Sequence, residues 1–312
     1  MKTIAAFFRL IRWPNLFFIA LTQSLFYFCV YQSLLTDKSG THFLFCLLCM
    51  ASILIAAAGY IINDYFDMHI DAINKPAKVV VDKLVKRRWA IIWHLVFSLA
   101  GLLISVYISY KTHTWIIAIA NLGCVVLLWF YSTTFKKKLL SGNIIIAALT
   151  AWVIVVVYFF AGAGLPDMAG WLDGKYNFDV KKFYKLTILY ASFAFIVSLI
   201  REVIKDLEDM DGDAKYNCKT MPVIWGVPPS KVFIAVWLVV CIASLTVLQL
   251  YAWQLGWWIV VLYSLVLIII PLLYILKKLY PATSSADYHK LSLAIKAVMF
   301  FGILSMIFFR LI

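Results

Sequence analysis

The sequence predicts an all-α, polytopic membrane protein: a single bundle of nine transmembrane helices with two parallel Asp-rich motif repeats. Composition is the first observation behind this. Of 312 residues, 64% belong to the hydrophobic set and only 14% carry a charge, and the mean hydropathy is +0.93. Soluble domains average roughly 45–50% apolar and about 25% charged. Second, the apolar residues fall into runs of about 18–22, the length that crosses a bilayer. Third, 9 of the 15 acidic residues sit in two short windows, one after the second run and one after the sixth. A disordered chain, a disulfide scaffold and a cytosolic enzyme with a pendant anchor are excluded.

The runs place helices near residues 14–35, 42–62, 89–110, 115–133, 143–163, 183–202, 232–251, 255–276 and 292–311. Tyr110–Trp115 and Gln254–Gly256 leave room only for tight turns, so the helices they join run antiparallel and pack together. No Gly/Ser linker or long polar stretch divides the chain, and residues 1–312 are expected to form one domain.

Orientation follows from the basic residues. Of the 28 Lys and Arg, 21 fall at the N-terminus, in the loops after the even-numbered spans, or at the span ends that border those loops. The other seven are Lys38, Lys111, Lys175, Lys181, Lys182, Lys185 and Arg310. The majority side is expected to be cytoplasmic, with the N-terminus inside and the C-terminus outside, in a prokaryotic cell membrane. These clusters and anionic headgroups account for the net charge of +13; no nucleic-acid partner and no obligate protein partner is readable. Cys46 and Cys49 lack a second pair to complete a zinc site and read as lipid-buried helix positions. Arg9 and Arg12 interrupt the N-terminal segment, so no cleavable signal is expected.

The acidic windows carry the chemistry. The first runs from Gly59 to Asp71 and the second from Arg201 to Asp213. Asp64, Asp67 and Asp71 each reappear 142 residues later as Asp206, Asp209 and Asp213, and Met68 and Met210 keep the same relative place. Four helices separate the copies, so both face the same side and the repeat is parallel. On a helix, positions i, i+3 and i+7 lie at about 0°, 300° and 340°, which puts each triplet on one narrow face. Clustered carboxylates raise one another's pKa, so a cation should neutralise them. All-oxygen ligands with one Asn suit Mg²⁺ or Ca²⁺, and Mg²⁺ completes its shell with substrate phosphates. Paired Asp-rich helix ends therefore read as a metal–diphosphate clamp. Asp211 and Glu208 break the repeat and read first as residues solvating a loop end.

The pattern Asn63-Asp64-x-x-Asp67-x-x-x-Asp71 after the second helix, with a second Asp-rich motif after the sixth, resembles the UbiA-type intramembrane prenyltransferases. Arg12-Trp-Pro-Asn15 is similar to that family's N-terminal signature, and Tyr131-Ser-Thr-Thr-Phe-Lys136 to its fourth-helix motif, with Lys137 an equal candidate for the lysine. Lys205–Asp213 followed by Lys219–Val223 looks most like the branch that contains digeranylgeranylglyceryl phosphate synthase, homogentisate prenyltransferases and chlorophyll synthase. The loop from Asn74 to Arg88 departs from the family's Pro- and Arg-rich loop, which bears on the acceptor more than on the reaction.

The resemblance implies nine helices and Mg²⁺-dependent transfer of an isoprenyl group from its diphosphate to a lipophilic acceptor within the membrane. Two Mg²⁺ would bridge the diphosphate. Asn63, Asp64 and Asp67 would hold one, with Asp71 supporting the helix end or a bound water. Asp206 and Asp209 would hold the other, with Asp213 a weaker third member; on the shorter reading the pair is Asp209 and Asp213. Arg12 and Asn15 would line the substrate site. Lys136, Lys137, Arg201 and Lys205 are the cations for diphosphate oxygens. The Tyr131 ring would face a developing allylic cation. His69, His94 and Asn121 read as packing or helix–helix hydrogen-bonding residues before cavity lining.

Two acceptor classes stay open, a geranylgeranylglyceryl phosphate-like lipid and an aromatic ring such as 4-hydroxybenzoate, homogentisate or a quinone precursor. Lys78, Lys83 and Lys86–Arg88 are the basic residues that would suit the first. A divalent-cation transporter is the non-enzyme alternative. The position of the acids at one membrane face and the parallel repeat count against it.

Overall fold

The computed structural model describes residues 2–35, 42–74, 80–163 and 179–311. Among them, nine helices are long and apolar enough to cross a membrane. The chain begins with α1 (Lys2–Leu10), an amphipathic helix that buries Ala6 and Leu10 and exposes Ile4 and Phe8. Next come α2 (Trp13–Leu25), extended by a π-helical turn over Phe26–Tyr31, α3 (His42–Asn74), α4 (Arg87–Lys111), α5 (Ile116–Thr133) and α6 (Ser141–Ala163). Then follow α7 (Val180–Glu208) and two short helices, α8 (Met210–Lys215) and α9 (Met221–Ile224). The remainder is α10 (Val227–Gln254), α11 (Trp258–Ser264), α12 (Ile270–Leu279), α13 (Ser285–Leu304) and α14 (Phe308–Leu311). A π-helical turn at Leu265–Ile269 joins α11 to α12 as one span.

Local chemistry sets the boundaries. Pro14 occupies the first turn of α2, where its missing N–H would be unsatisfied anyway. Ser284 and Asp287 form a reciprocal capping box at the start of α13. The Gln254–Trp258 turn closes on Gly256 at φ 75°, a backbone conformation that glycine adopts without strain.

Several spans run longer than their apolar runs predict. α3 continues to Asn74 beyond the predicted 62, α7 to Glu208 beyond 202, and α13 starts at Ser285 ahead of 292. The physical reason is that an α-helix satisfies its own backbone whatever its side chains, so it carries polar residues past the apolar limit. The second acidic window corrects a simpler expectation. Asp64, Asp67 and Asp71 lie on one unbroken helix, but α7 ends at Glu208 and Asp209 (φ −101°, ψ 5°) is a bend before α8. Asp side chains compete for nearby backbone groups, and a window this rich in Asp and Gly loses the helix locally.

The chain divides into two compact units. One comprises Met1–Phe135 and Trp152–Ile188, the other Lys136–Ala151 and Leu189–Ile312. The first unit buries Leu10, Leu16, Ile61, Met68, Val81 and Val85 in one cluster. Residues 80–88 of the divergent loop form an apolar hook: Val80, Val81 and Val85 are buried, while Lys83, Lys86, Arg87 and Arg88 stay exposed. Lys78, like Lys38 and Lys175, lies outside the described residues. His94 reaches the Ala58 carbonyl at 3.0 Å, and Asn121 donates to Ser105 Oγ at 2.8 Å while accepting from Trp152 Nε1 at 3.3 Å. Both are helix–helix links, as expected, and His69 is exposed.

Close packing of α3 on α4 depends on Gly101. A Cβ there would sit 2.8 Å from Ile55 Cγ1 and 3.2 Å from the Ala51 carbonyl oxygen. Gly101→Leu is expected to destabilise the protein by about 1–3 kcal/mol through overpacking, seen as a lowered midpoint of thermal aggregation. An unchanged midpoint would show that this contact yields easily.

The second unit has its own core, with Ile200, Ile204, Leu238, Leu272, Ile275 and Ile295 buried among α7, α10, α12 and α13. Each unit carries one acidic motif.

Candidate functional site

The first motif is built on the polar end of α3. Asn63 is 8% exposed and Asp67 3% exposed, so both sit on the buried face of the helix, one turn apart. Asn63 Nδ2 donates to Asp67 Oδ2 at 2.6 Å. Asn63 Oδ1 is buried and has no hydrogen-bond partner among the described residues. Buried polar atoms are normally satisfied, so an orphaned amide oxygen beside a carboxylate needs a cation or a donor.

Asp64 has a different partner. Arg12, held in the left-handed region (φ 51°, ψ 52°) at the start of α2, donates from Nη2 to Asp64 Oδ1 at 2.6 Å. The guanidinium carbon also lies 5.2 Å from the centre of the Tyr60 ring. The Asp64 charge pushes the Arg12 guanidinium further above its usual range, against the opposing effect of burial. Asn15 is half-buried in the first turn of α2, with its N–H on the Arg12 carbonyl at 2.8 Å. Asp71, two turns beyond Asp64, is half-buried at the same helix end.

In the second motif, Asn143 of α6 donates from Nδ2 to Asp206 Oδ2 at 2.8 Å. Glu202, one turn earlier, accepts from Arg201 Nη1 at 3.1 Å and from Lys205 Nζ at 3.0 Å. Asp209 sits half-buried at the bend, and Asp213 is buried, with Thr220 Oγ1 donating to its Oδ2 at 3.3 Å. Of the residues outside the repeat, Asp211 is exposed, as expected of a solvated loop end. Glu208 instead meets His289 Nδ1 at 3.0 Å, and its carbonyl accepts from Ser285 Oγ at 3.0 Å, which ties α7 to the start of α13.

The fourth-helix signature straddles the division of the chain. Tyr131 lies half-buried near the end of α5 in the first unit. Lys136 and Lys137 begin the second unit on a 3₁₀ turn, where Lys136 is half-buried and Lys137 exposed. The Lys219 N–H donates to the Lys137 carbonyl at 2.8 Å and anchors that turn beside the second motif.

No three His, Cys, Asp or Glu side chains come together as a ready-made metal cage among the described residues. Asp64 turns to Arg12, Asp67 to Asn63, Asp206 to Asn143 and Asp213 to Thr220. Like charges repel, so each carboxylate takes its own donor. The donor set is still one of hard oxygens, with Asn63 Oδ1 unclaimed, and it fits Mg²⁺, which is usually held by one or two carboxylates plus substrate phosphates.

Two partners were not singled out from the sequence. Asn143 stands at the start of an apolar run, and its signal was an amide at the edge of a membrane span. Glu202 was visible in the acidic window, and its signal was its spacing one turn before Asp206, between Arg201 and Lys205.

Nine helices long and apolar enough to cross a membrane among the described residues, with an Asp-rich motif of hard oxygen donors in each unit, define the class: an integral, multi-pass membrane protein. The model of the UbiA prenyltransferase family matches residues 13–304, and the chain belongs to that family. Among curated relatives, digeranylgeranylglyceryl phosphate synthase of Methanobrevibacter smithii is 27% identical over 199 residues, 62% of each chain. The chain thus spans about three-fifths of that relative's length. A solved structure concerning digeranylgeranylglyceryl phosphate synthase in membranes shares the fold, with a TM-score of 0.60 and 22% identity over 98% of this chain and 99% of that one. A UbiA homolog from Archaeoglobus fulgidus bound to GPP and Mg²⁺ shares it with a TM-score of 0.58 and 15% identity over 96% of this chain and 99% of that one.

Proposed function

We propose that the protein is a Mg²⁺-dependent prenyltransferase that moves an isoprenyl group from its diphosphate to a lipophilic acceptor within the membrane, with residues 1–312 working as one catalytic domain. The observation that carries this reading is the state of the two motifs. Each presents a carboxylate oriented by an Asn amide, and one presents an orphaned amide oxygen beside it. The family and the Mg²⁺- and GPP-bound homolog support the choice of ion and donor substrate.

Asn63, Asp64 and Asp67 would hold one ion, with Asp71 securing the helix end; Asp206 and Asp209 would hold the other. Asp213 is the weaker member because Thr220 already occupies its carboxylate. When bound, Mg²⁺ neutralises the diphosphate and stabilises the charge that builds on the leaving group. Arg12, Asn15, Lys136, Lys137, Arg201 and Lys205 supply donors to anionic oxygens. Arg12 would exchange Asp64 for a phosphate oxygen when the ion arrives. Tyr131 offers its ring to the allylic cation as the C–O bond to the diphosphate breaks. Apolar helices exclude the water that would quench that cation. The motifs and the N-terminus lie on the cytoplasmic side and the C-terminus on the other, following the excess of Lys and Arg.

The acceptor we propose is a geranylgeranylglyceryl phosphate-like lipid, supported by the names of the relatives. Its hydroxyl oxygen forms the new C–O bond, and the hydroxyl proton leaves with the pyrophosphate. The test is product analysis by mass spectrometry, with purified protein, Mg²⁺, geranylgeranyl diphosphate and parallel glycerol-phosphate and aromatic acceptors. An ether lipid formed only with Mg²⁺ is expected. Prenylated 4-hydroxybenzoate or homogentisate as the sole product would overturn the acceptor. Metal flux into liposomes without any prenyl product would overturn the reaction.

A further inference from the structure

In the second unit, Arg201 and Lys205 of α7 flank Glu202, which accepts from both. Ile295 of α13 shares a buried cluster with Ile200 and Ile204 of α7, and this packing brings a third cation, the neighbouring Lys296, to the same part of the unit. Lys296 stands past the polar start of α13, Ser285–Lys290, among Leu291, Leu293, Ile295 and Val298. A lysine inside an apolar run is costly and usually serves a function. Three like charges are costly beside one another as well. Arg201 Nε adds a direct sign, for it is buried without a hydrogen-bond partner among the described residues. Glu202 answers part of this positive charge, and the Arg201 Nε edge left without an acceptor suits a further oxygen anion.

We propose that Arg201, Lys205 and Lys296 form a phosphate-binding site that works without metal, and that Lys296 is the residue setting its specificity. The site takes a phosphate group carried by a substrate, and this rests on the prenyl-transfer reading above. Two sources share that chemistry, the phosphomonoester of a lipid acceptor and the diphosphate of the prenyl donor. Glu202 holds Arg201 and Lys205 in place until the anion arrives. The exposed basic residues of the 80–88 hook are poorly suited to the same task, because water screens them.

The test is calorimetric binding of inorganic phosphate and of inorganic pyrophosphate to the purified full-length protein in EDTA, which removes any route through Mg²⁺. Wild-type protein is expected to bind, and Lys296→Gln to bind about tenfold more weakly, the loss of one charge-assisted hydrogen bond. Lys296→Arg, which keeps the charge, is expected to stay within about threefold of wild type, so misfolding is told apart from loss of the ligand. Preference for phosphate identifies the acceptor as the source, and preference for pyrophosphate identifies the donor. Equal binding by wild type and Lys296→Gln, or no binding by wild type, overturns the proposal. Because no turnover is measured, failure here is distinct from failure of the prenyl-transfer reading.

Discussion

Alanine at Asp64 or at Asp206 is expected to cut kcat/KM for prenyl transfer by roughly a thousandfold, about 4 kcal/mol of transition-state stabilisation. Each substitution removes a hard oxygen donor from one motif and leaves the other motif untouched. The two losses have different side effects. Asp64→Ala also frees Arg12, whose Nη2 sits 2.6 Å from Asp64 Oδ1, so Asp64→Asn is the cleaner variant. It keeps an acceptor for the guanidinium and loses the charge a metal ion needs. Asp206→Ala leaves the Asn143 amide facing a void. Steady-state rates with saturating Mg²⁺, alongside thermal stability of each variant, separate lost chemistry from lost fold. Wild-type rates in both alanine variants would refute the assigned roles.

The second large effect is expected at Asn143, a residue with no charge. Asn143→Leu should weaken the apparent affinity for Mg²⁺ by about 10–100-fold, the usual scale for a group that orients a metal ligand. The reason is geometric. Asp206 Oδ2 accepts from Asn143 Nδ2 at 2.8 Å, and that bond fixes which carboxylate oxygen stays open to an ion. Without it, Asp206 samples other rotamers and the ion must order it on binding. The dependence of turnover on Mg²⁺ concentration gives the answer. The expected result is a shifted midpoint with most of the maximal rate recovered at high Mg²⁺; an unmoved midpoint would make Asn143 a packing residue only.

The fold class was legible because lipid imposes a strict code. Long apolar runs and tight turns such as Gln254–Gly256 leave few alternatives to antiparallel membrane helices. The first motif was legible for the same reason: Asp64, Asp67 and Asp71 stand out in an apolar chain, and their spacing suits the helix that α3 forms. The bend at Asp209 was hidden because spacing alone assumes a regular helix, and the competition between Asp side chains and backbone is local. The partners were hidden by distance. Arg12 meets Asp64 across 52 residues, and Asn143 meets Asp206 across 63. Periodicity within one helix carries no information about such pairs. Lys296 was counted only as a positive-inside residue, since its neighbours Arg201 and Lys205 belong to a different helix. The apolar burial of Val80, Val81 and Val85 was likewise unreadable, because a short Val-rich loop carries no periodic signal.

The ion count by electron paramagnetic resonance, with Mn²⁺ standing in for Mg²⁺ and a non-hydrolysable geranylgeranyl diphosphate analogue present, tests the metal role of the twin motifs most directly. Two ions per chain are expected in wild-type protein, and one in each of Asp64→Ala and Asp206→Ala. Two ions retained in both variants, or analogue bound to wild type with no ion at all, would contradict it.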